Sequence, residues 1–279
     1  MMRRILLSVD MEGIAGVASR AALTPQGWEW QAARKWMTNE LNAVAEAAFE
    51  AGYDEVIATD SHSNAQNIDP DLLLDNIRLI RSWPRPLLQM QMIDDPATDA
   101  CAFIGYHAAA GTADAIFNHS FSSAAFRSIR LNGEIASEGY FNAALAGEFG
   151  KPVLLVSGDQ YTIEDAKRYA PDAALFATKH SFGQLSQESL PPRQVCKGLK
   201  AAAKEAFAAP ASTPFKLDGP FELLLEMTSH GAAEMLGYLP WTERIDTWTI
   251  RAEFKSMREA MHFITFSILY SPSGQTPFN

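Results

Sequence analysis

The 279-residue chain has only two cysteines, Cys101 and Cys196. They cannot build a disulfide framework or a four-cysteine metal site, and nothing in the sequence pairs them. Positive charge is also in deficit. Lys and Arg number 23 against 33 Asp and Glu, a formal net charge of −10. That balance argues against general binding to nucleic acid or an anionic membrane. No apolar run approaches the roughly 18 residues of a spanning helix. The stretch Arg3-Arg4-Ile5-Leu6-Leu7-Ser8-Val9 imitates a leader for a few residues, but Asp10 and Glu12 end it. A soluble cytoplasmic protein is expected. There is no G-x-S-x-G elbow, no H-E-x-x-H, no P-loop and no G-x-G-x-x-G. Serine hydrolases, zincin-type proteases, nucleotide hydrolases and Rossmann dehydrogenases are thereby disfavoured. Repeats, low-complexity tracts and basic stretches interleaved with aromatics are missing as well.

What is present is a large apolar fraction, 47% of residues, enough for a core that needs no staples. The first half alternates short apolar runs with helical patterns. Ile5 to Val9, Glu55 to Thr59, Ile77 to Ile80 and Cys101 to Tyr106 read as buried strands. A helix is expected between the first two, entered at Thr24-Pro25 and closed by Gly52. Ser128 to Ala136 reads as a hairpin turning on Asn132-Gly133. A helix over 137–149 and strands at Val153 to Ser157 and Ala174 to Thr178 follow, and Thr162 with Asp165 resembles a capping box. Further on come an Ala-rich helix (Gln194 to Ala209), two strand-like runs (Phe221 to Met227, Thr247 to Phe254) and a final helix from Ser256 to Leu269. The fold class expected is α/β, a mostly parallel sheet with helices on both faces, plus a smaller C-terminal β-β-α part. The division expected is a catalytic α/β domain over 1–186 and a smaller domain or extension over 187–279.

Chemistry concentrates where strands end. In parallel α/β sheets, ligands bind beyond the carboxyl ends of the strands. The first strand runs into Asp10-Met11-Glu12, the second into Asp60-Ser61-His62, and the fourth into Gly105-Tyr106-His107. Glu138, opening a helix, has a polar reason to reach the same edge. Carboxylates and imidazoles from separate strand ends suit zinc or a similar transition ion. Five candidates exceed one tetrahedral zinc and suit a pair of ions sharing a carboxylate. Taken singly, each residue has a plainer reading: solvated turn charges for Asp10 and Glu12, a turn residue for His62, a core histidine for His107. His119 follows the fourth strand and reads as a general acid or base, an unusual nucleophile, or a surface loop histidine. Asp60 is a candidate for orienting His62. Asp159 reads equally as a strand-end acid or a helix cap. His262 reads as packing, and His180 and His230 as loop residues without partners.

Ser8-Val9-Asp10-Met11-Glu12-Gly13, Asp60-Ser61-His62-Ser63, Gly105-Tyr106-His107, Asn118-His119-Ser120 and Ser137-Glu138-Gly139 together resemble the DppA-type D-aminopeptidases. These are bacterial metallopeptidases that release N-terminal D-amino acids from short peptides. The resemblance covers most of the chain, in order, and weakens in the C-terminal part. It implies that Asp10, Glu12, His62, His107 and Glu138 hold two zinc ions per subunit, with Asp10 as the bridge. It implies that His119 is the catalytic nucleophile. It also implies a ring-like homo-oligomer, a decamer, with active sites facing an internal chamber.

The expected function is a zinc-dependent aminopeptidase acting on short peptides. Its rivals are another dinuclear metal amidase or deacylase, and a metal-dependent peptide-binding protein without turnover. No nucleic-acid or membrane partner is expected. Attack by water with His119 shuttling a proton, and attack by His119 itself, both remain open at this level.

Overall fold

The chain's first strand explains the layering around it. In β1 (Arg4–Val9) all six residues are buried. Ile5, Leu7 and Val9 face one core and Leu6 the other, as period-2 alternation dictates for a strand covered on both faces. The computed structural model describes residues 3–209 and 212–271. After β1 come α1 (Trp30–Glu50), β2 (Glu55–Asp60), β3 (Ile77–Ile80) and β4 (Thr98–Tyr106). The chain then forms the hairpin β5 (Phe126–Leu131) and β6 (Glu134–Ile135), followed by α2 (Glu138–Glu148), β7 (Val153–Asp159), α3 (Gln160–Ala166), β8 (Ala174–Gly183) and β9 (Ser186–Glu188). It closes with α4 (Pro192–Ala208), β10 (Phe221–Met227), α5 (His230–Leu236), β11 (Thr242–Arg244), β12 (Thr249–Phe254) and α6 (Met257–Leu269).

Seven strands form one sheet in the order β3-β2-β1-β4-β7-β8-β9. All its pairs are parallel except β8 with β9. Leu41, Val44 and Ala48 of α1 and Leu199, Ala203 and Phe207 of α4 cover one face. The other face carries Phe141 and Leu145 of α2, and beyond them the second sheet and α6. Strand order reverses at β1, since β2 and β3 lie to one side and β4 to the other. That is the switch point where ligand crevices open in such sheets.

The tail strands do not form a sheet alone. β10 pairs antiparallel with β12 on one side and with β5 on the other, giving the order β11-β12-β10-β5-β6. Leu223, Leu225 and Met227 point into the shared core while Leu224 and Glu226 are only half-buried. Three local expectations differ from what forms. α1 starts at Trp30, with no side-chain cap, because residues 20–29 make a short 3-10 turn and bends first. α3 is capped by Asp159, whose carboxylate accepts from Thr162 N at 2.8 Å, so the cap lies three residues before the Thr162–Asp165 pair. His262 stands exposed on α6, between the buried Met261 and Phe263. Cys101 and Cys196 are both free thiols. No helix among the described residues is long and apolar enough to cross a membrane.

Candidate metal centre

Asp10 and His107 follow directly from β1 and β4, and His62 follows β2, which ends at Asp60, after the single residue Ser61; the pairing of those strands brings all three to one edge. Glu12 joins them through a tight turn. Gly13 N donates to Gly105 O at 2.8 Å, and a Cβ on Gly13 would lie 2.1 Å from Tyr106 O. Only glycine allows that approach. Gly13→Ala is expected to cost at least ~1–3 kcal/mol, the usual range for overpacking, measured as a lowered denaturation midpoint. A variant as stable as the parent would contradict the close approach. Glu138 comes from the far side of the sheet, at the start of α2, where Ser137 Oγ caps the helix by accepting from Tyr140 N at 3.0 Å.

The five side chains meet. Asp10, Glu12 and His62 place a ligand atom each within 4.8 Å of one another, and so do His107, His119 and Glu138. Asp10 lies between the groups: its Oδ1 is 3.4 Å from His62 Nδ1 and its Oδ2 is 3.6 Å from His107 Nε2. His62 Nδ1 is also 2.9 Å from Glu12 Oε2. His107 Nε2 is 3.1 Å from Glu138 Oε1. Asp10, Glu12, His62, His107 and Glu138 are all at least nine-tenths buried. Burying three carboxylates together is costly without compensating charge.

The histidine tautomers follow from their other ring nitrogens. His62 Nε2 lies 2.8 Å from Leu23 O, His107 Nδ1 3.0 Å from Ala108 O, and His119 Nδ1 2.9 Å from Phe117 O. A carbonyl only accepts, so each of these nitrogens carries the hydrogen. In the neutral ring the opposite nitrogen is then a lone pair aimed at carboxylates. His107 Nε2 is buried and has no hydrogen-bond partner among the described residues. A backbone carbonyl behind the ring and a bare nitrogen in front is the arrangement that orients metal-ligating histidines. The donor set therefore fits divalent transition ions.

The buried carboxylates favour positive charge between them, either a proton on the facing rings or a metal ion in its place. Burial, reinforced by Glu12, pushes Asp10 up to about 8 against the pull of His62. Burial alone would lower His107, but Glu138 and the other carboxylates win and push it up to about 10. Burial would lower His62 too, but Glu12 and Asp10 hold it well above its ordinary value. Burial would raise Glu138, yet His107 and His119 hold it down. His119 goes the other way: burial and neighbouring His107 lower it, which favours the neutral ring. Its side chain is 20% exposed and Nε2 lies 3.7 Å from Glu138 Oε1. Its ring stacks on His107 with centroids 4.0 Å apart.

Asp60 acts on His62 through the backbone rather than the ring, whose nitrogens face Glu12 and Leu23 O. The Asp60 carboxylate accepts from Asn67 N and Nδ2 and from Ile68 N, fixing the turn that carries His62. Asn67 Nδ2 in turn donates to His62 O at 2.7 Å. His180 and His230 lie away from the cluster, each against one aromatic ring, Phe182 and Trp248.

A buried polar chain behind the carboxylates has no counterpart in the sequence reading. Gln89 Nε2 donates to Glu138 Oε2. Asn142 Nδ2 donates to Gln89 Oε1 at 2.6 Å and to Tyr106 OH at 2.9 Å. Tyr106 OH is 2.7 Å from Ser8 Oγ. The available signal was Asn142, one turn after Glu138 on an otherwise apolar helix. Gln89 sits in a short 3-10 turn with no pattern at all.

The cluster opens into a cavity of about 310 Å³ whose walls include Leu23, Trp83, Phe117, Phe121, Ile268 and Leu269. Asp10, Glu12, His62, His119 and Glu138 line the same cavity. It is a small apolar pocket with convergent polar groups, the usual form of a small-molecule site.

Comparison with known proteins bears on what this pocket is. A sequence profile described as D-aminopeptidase matches residues 2–266. A D-aminopeptidase of Bacillus subtilis (strain 168) is 30% identical over 261 residues, covering 92% of this chain and 93% of that protein. A solved structure, described as the Zn-dependent D-aminopeptidase DppA from Bacillus subtilis, a self-compartmentalizing protease, superposes with a TM-score of 0.89. It is 28% identical, and the match covers 95% of this chain and 96% of that one.

Proposed function

The chain belongs to the D-aminopeptidase family, and from that premise we propose that it is a zinc-dependent aminopeptidase releasing N-terminal D-amino acids from short peptides. The observation that carries the site assignment is Asp10, which presents one carboxylate oxygen to each of two clusters of buried donors. Glu12 and His62 would complete the place for one zinc, and His107 and Glu138 that for the other, giving two ions per subunit. Bound there, zinc would polarise the scissile carbonyl and make an attacking water more acidic.

The chain's own groups do the rest. His119 donates Nδ1–H to Phe117 O and keeps Nε2 as a lone pair at the cavity. Neutral His119 takes a proton from the attacking water at Nε2 and returns it to the leaving amine. Gln89 and Phe121 N hold the two oxygens of Glu138. The apolar walls leave room for a small side chain.

The relative's self-compartmentalizing assembly supports the further proposal that this chain closes into a ring-like homo-oligomer, a decamer, with the sites facing inward. Light scattering on the purified protein is expected to report a multimer. A monomer at working concentration removes the assembly proposal. The activity is tested with matched dipeptides having a free D-residue, a free L-residue or an N-acylated residue first. Hydrolysis of the free D-series is expected. Cleavage confined to N-acyl compounds would assign the site to a deacylase instead.

A further inference from the structure

Behind the turn that carries Asp10 and Glu12 lies a second pair of buried ionisable side chains, Lys179 of β8 and Glu40 of α1. Lys179 is 4% exposed and Glu40 fully buried. Neither reaches the cavity, and the chemistry proposed above uses neither. Lys179 Nζ donates to Glu12 O at 2.7 Å and to Val17 O at 2.7 Å. Glu40 Oε1 accepts from Ala15 N at 2.8 Å. Thr178, beside Lys179, donates to Gly13 O. Backbone groups at 12, 13, 15 and 17 are thus satisfied by side chains from two distant elements rather than by secondary structure. A buried turn without such partners would leave its polar groups unpaired.

Burying a lysine this deeply is expensive unless its donors find partners, and the two carbonyls of the 12–17 turn supply them. Glu12 O belongs to the very residue whose carboxylate lies 2.9 Å from His62 Nδ1. Movement of that peptide moves the carboxylate. We propose that Lys179, assisted by Glu40, is a positioning residue: it pins the 12–17 turn so that Asp10 and Glu12 stay preset for metal, and it thereby sets zinc affinity. The inference rests on the ligand assignment above and deepens it.

The test is zinc affinity of chelator-treated protein, measured by competition with a metallochromic dye, for the parent and for Lys179→Met. The variant keeps the apolar stem and loses the donors. Affinity is expected to fall at least ~10-fold, the range seen when groups that orient metal ligands are removed. Far-UV circular dichroism and the zinc-free melting temperature report whether the fold persists. A purely structural lysine would lower the melting temperature and leave zinc affinity unchanged; that result overturns the proposal. Should Lys179→Met fail to fold, Glu40→Ala removes the other side of the brace, and unchanged affinity there overturns the proposal equally. A parent protein that binds no zinc would instead refute the ligand assignment itself, so the two failures are distinct.

Discussion

Asp10→Ala is expected to lose both zinc ions and at least ~10³-fold in kcat/KM. The carboxylate faces His62 through one oxygen and His107 through the other. No other side chain in the cluster touches both donor groups in this way. If Asp10 bridges as proposed, removing it takes a ligand from each ion at once, whereas His62→Ala removes a ligand from one side and is expected to weaken mainly that ion. The activity loss corresponds to several kcal/mol of charge stabilisation withdrawn from the transition state. Elemental analysis of the two variants, with circular dichroism to show that both are folded, checks the contrast. Equal metal loss from Asp10→Ala and His62→Ala would remove the bridging role.

His119→Ala separates catalysis from metal binding. Its Nε2 lies 3.7 Å from Glu138 Oε1, and it is the most exposed histidine of the cluster. It is not one of the five proposed ligands, so the variant is expected to retain its zinc. Turnover is expected to fall at least ~10²-fold, the usual range for a lost general acid–base group. Added imidazole is expected to restore part of the rate, because a small base can replace a missing proton carrier. A nucleophilic His119 would give a larger loss without rescue. Near-parent turnover with metal still bound would dismiss both roles.

The edge that gathers the site was legible because strand length and polarity change together. Ile5 to Val9 is apolar except for Ser8 and runs straight into Asp10 and Glu12, and β2 and β4 likewise run out into the segments that hold His62 and His107. Parallel pairing then forces those ends to one side of the sheet. Glu138 was legible as a helix start. The second sheet was not fully legible, although each of its main strands was. Pairing of β5 with β10 joins residues such as Leu131 and Leu223, and no local pattern encodes a partner so distant in the chain. The short α5 and β11 between the tail strands had too few periodic residues to register. Lys179 was invisible for a different reason. In Ala177-Thr178-Lys179-His180 nothing marks a lysine whose ammonium is buried, since its meaning lies in the carbonyls of Glu12 and Val17. His262 failed by one step of helical rotation: its neighbours Met261 and Phe263 face the core, and it faces solvent.

Zinc titrated into chelator-treated protein, with bound metal counted per chain after desalting, tests the central claim most directly. Five buried donors joined by Asp10 predict saturation at two ions per subunit, with D-aminopeptidase activity appearing as the sites fill. Saturation at one ion, or no retention of zinc by a folded chain, would contradict the assignment of Asp10, Glu12, His62, His107 and Glu138 to a dinuclear centre.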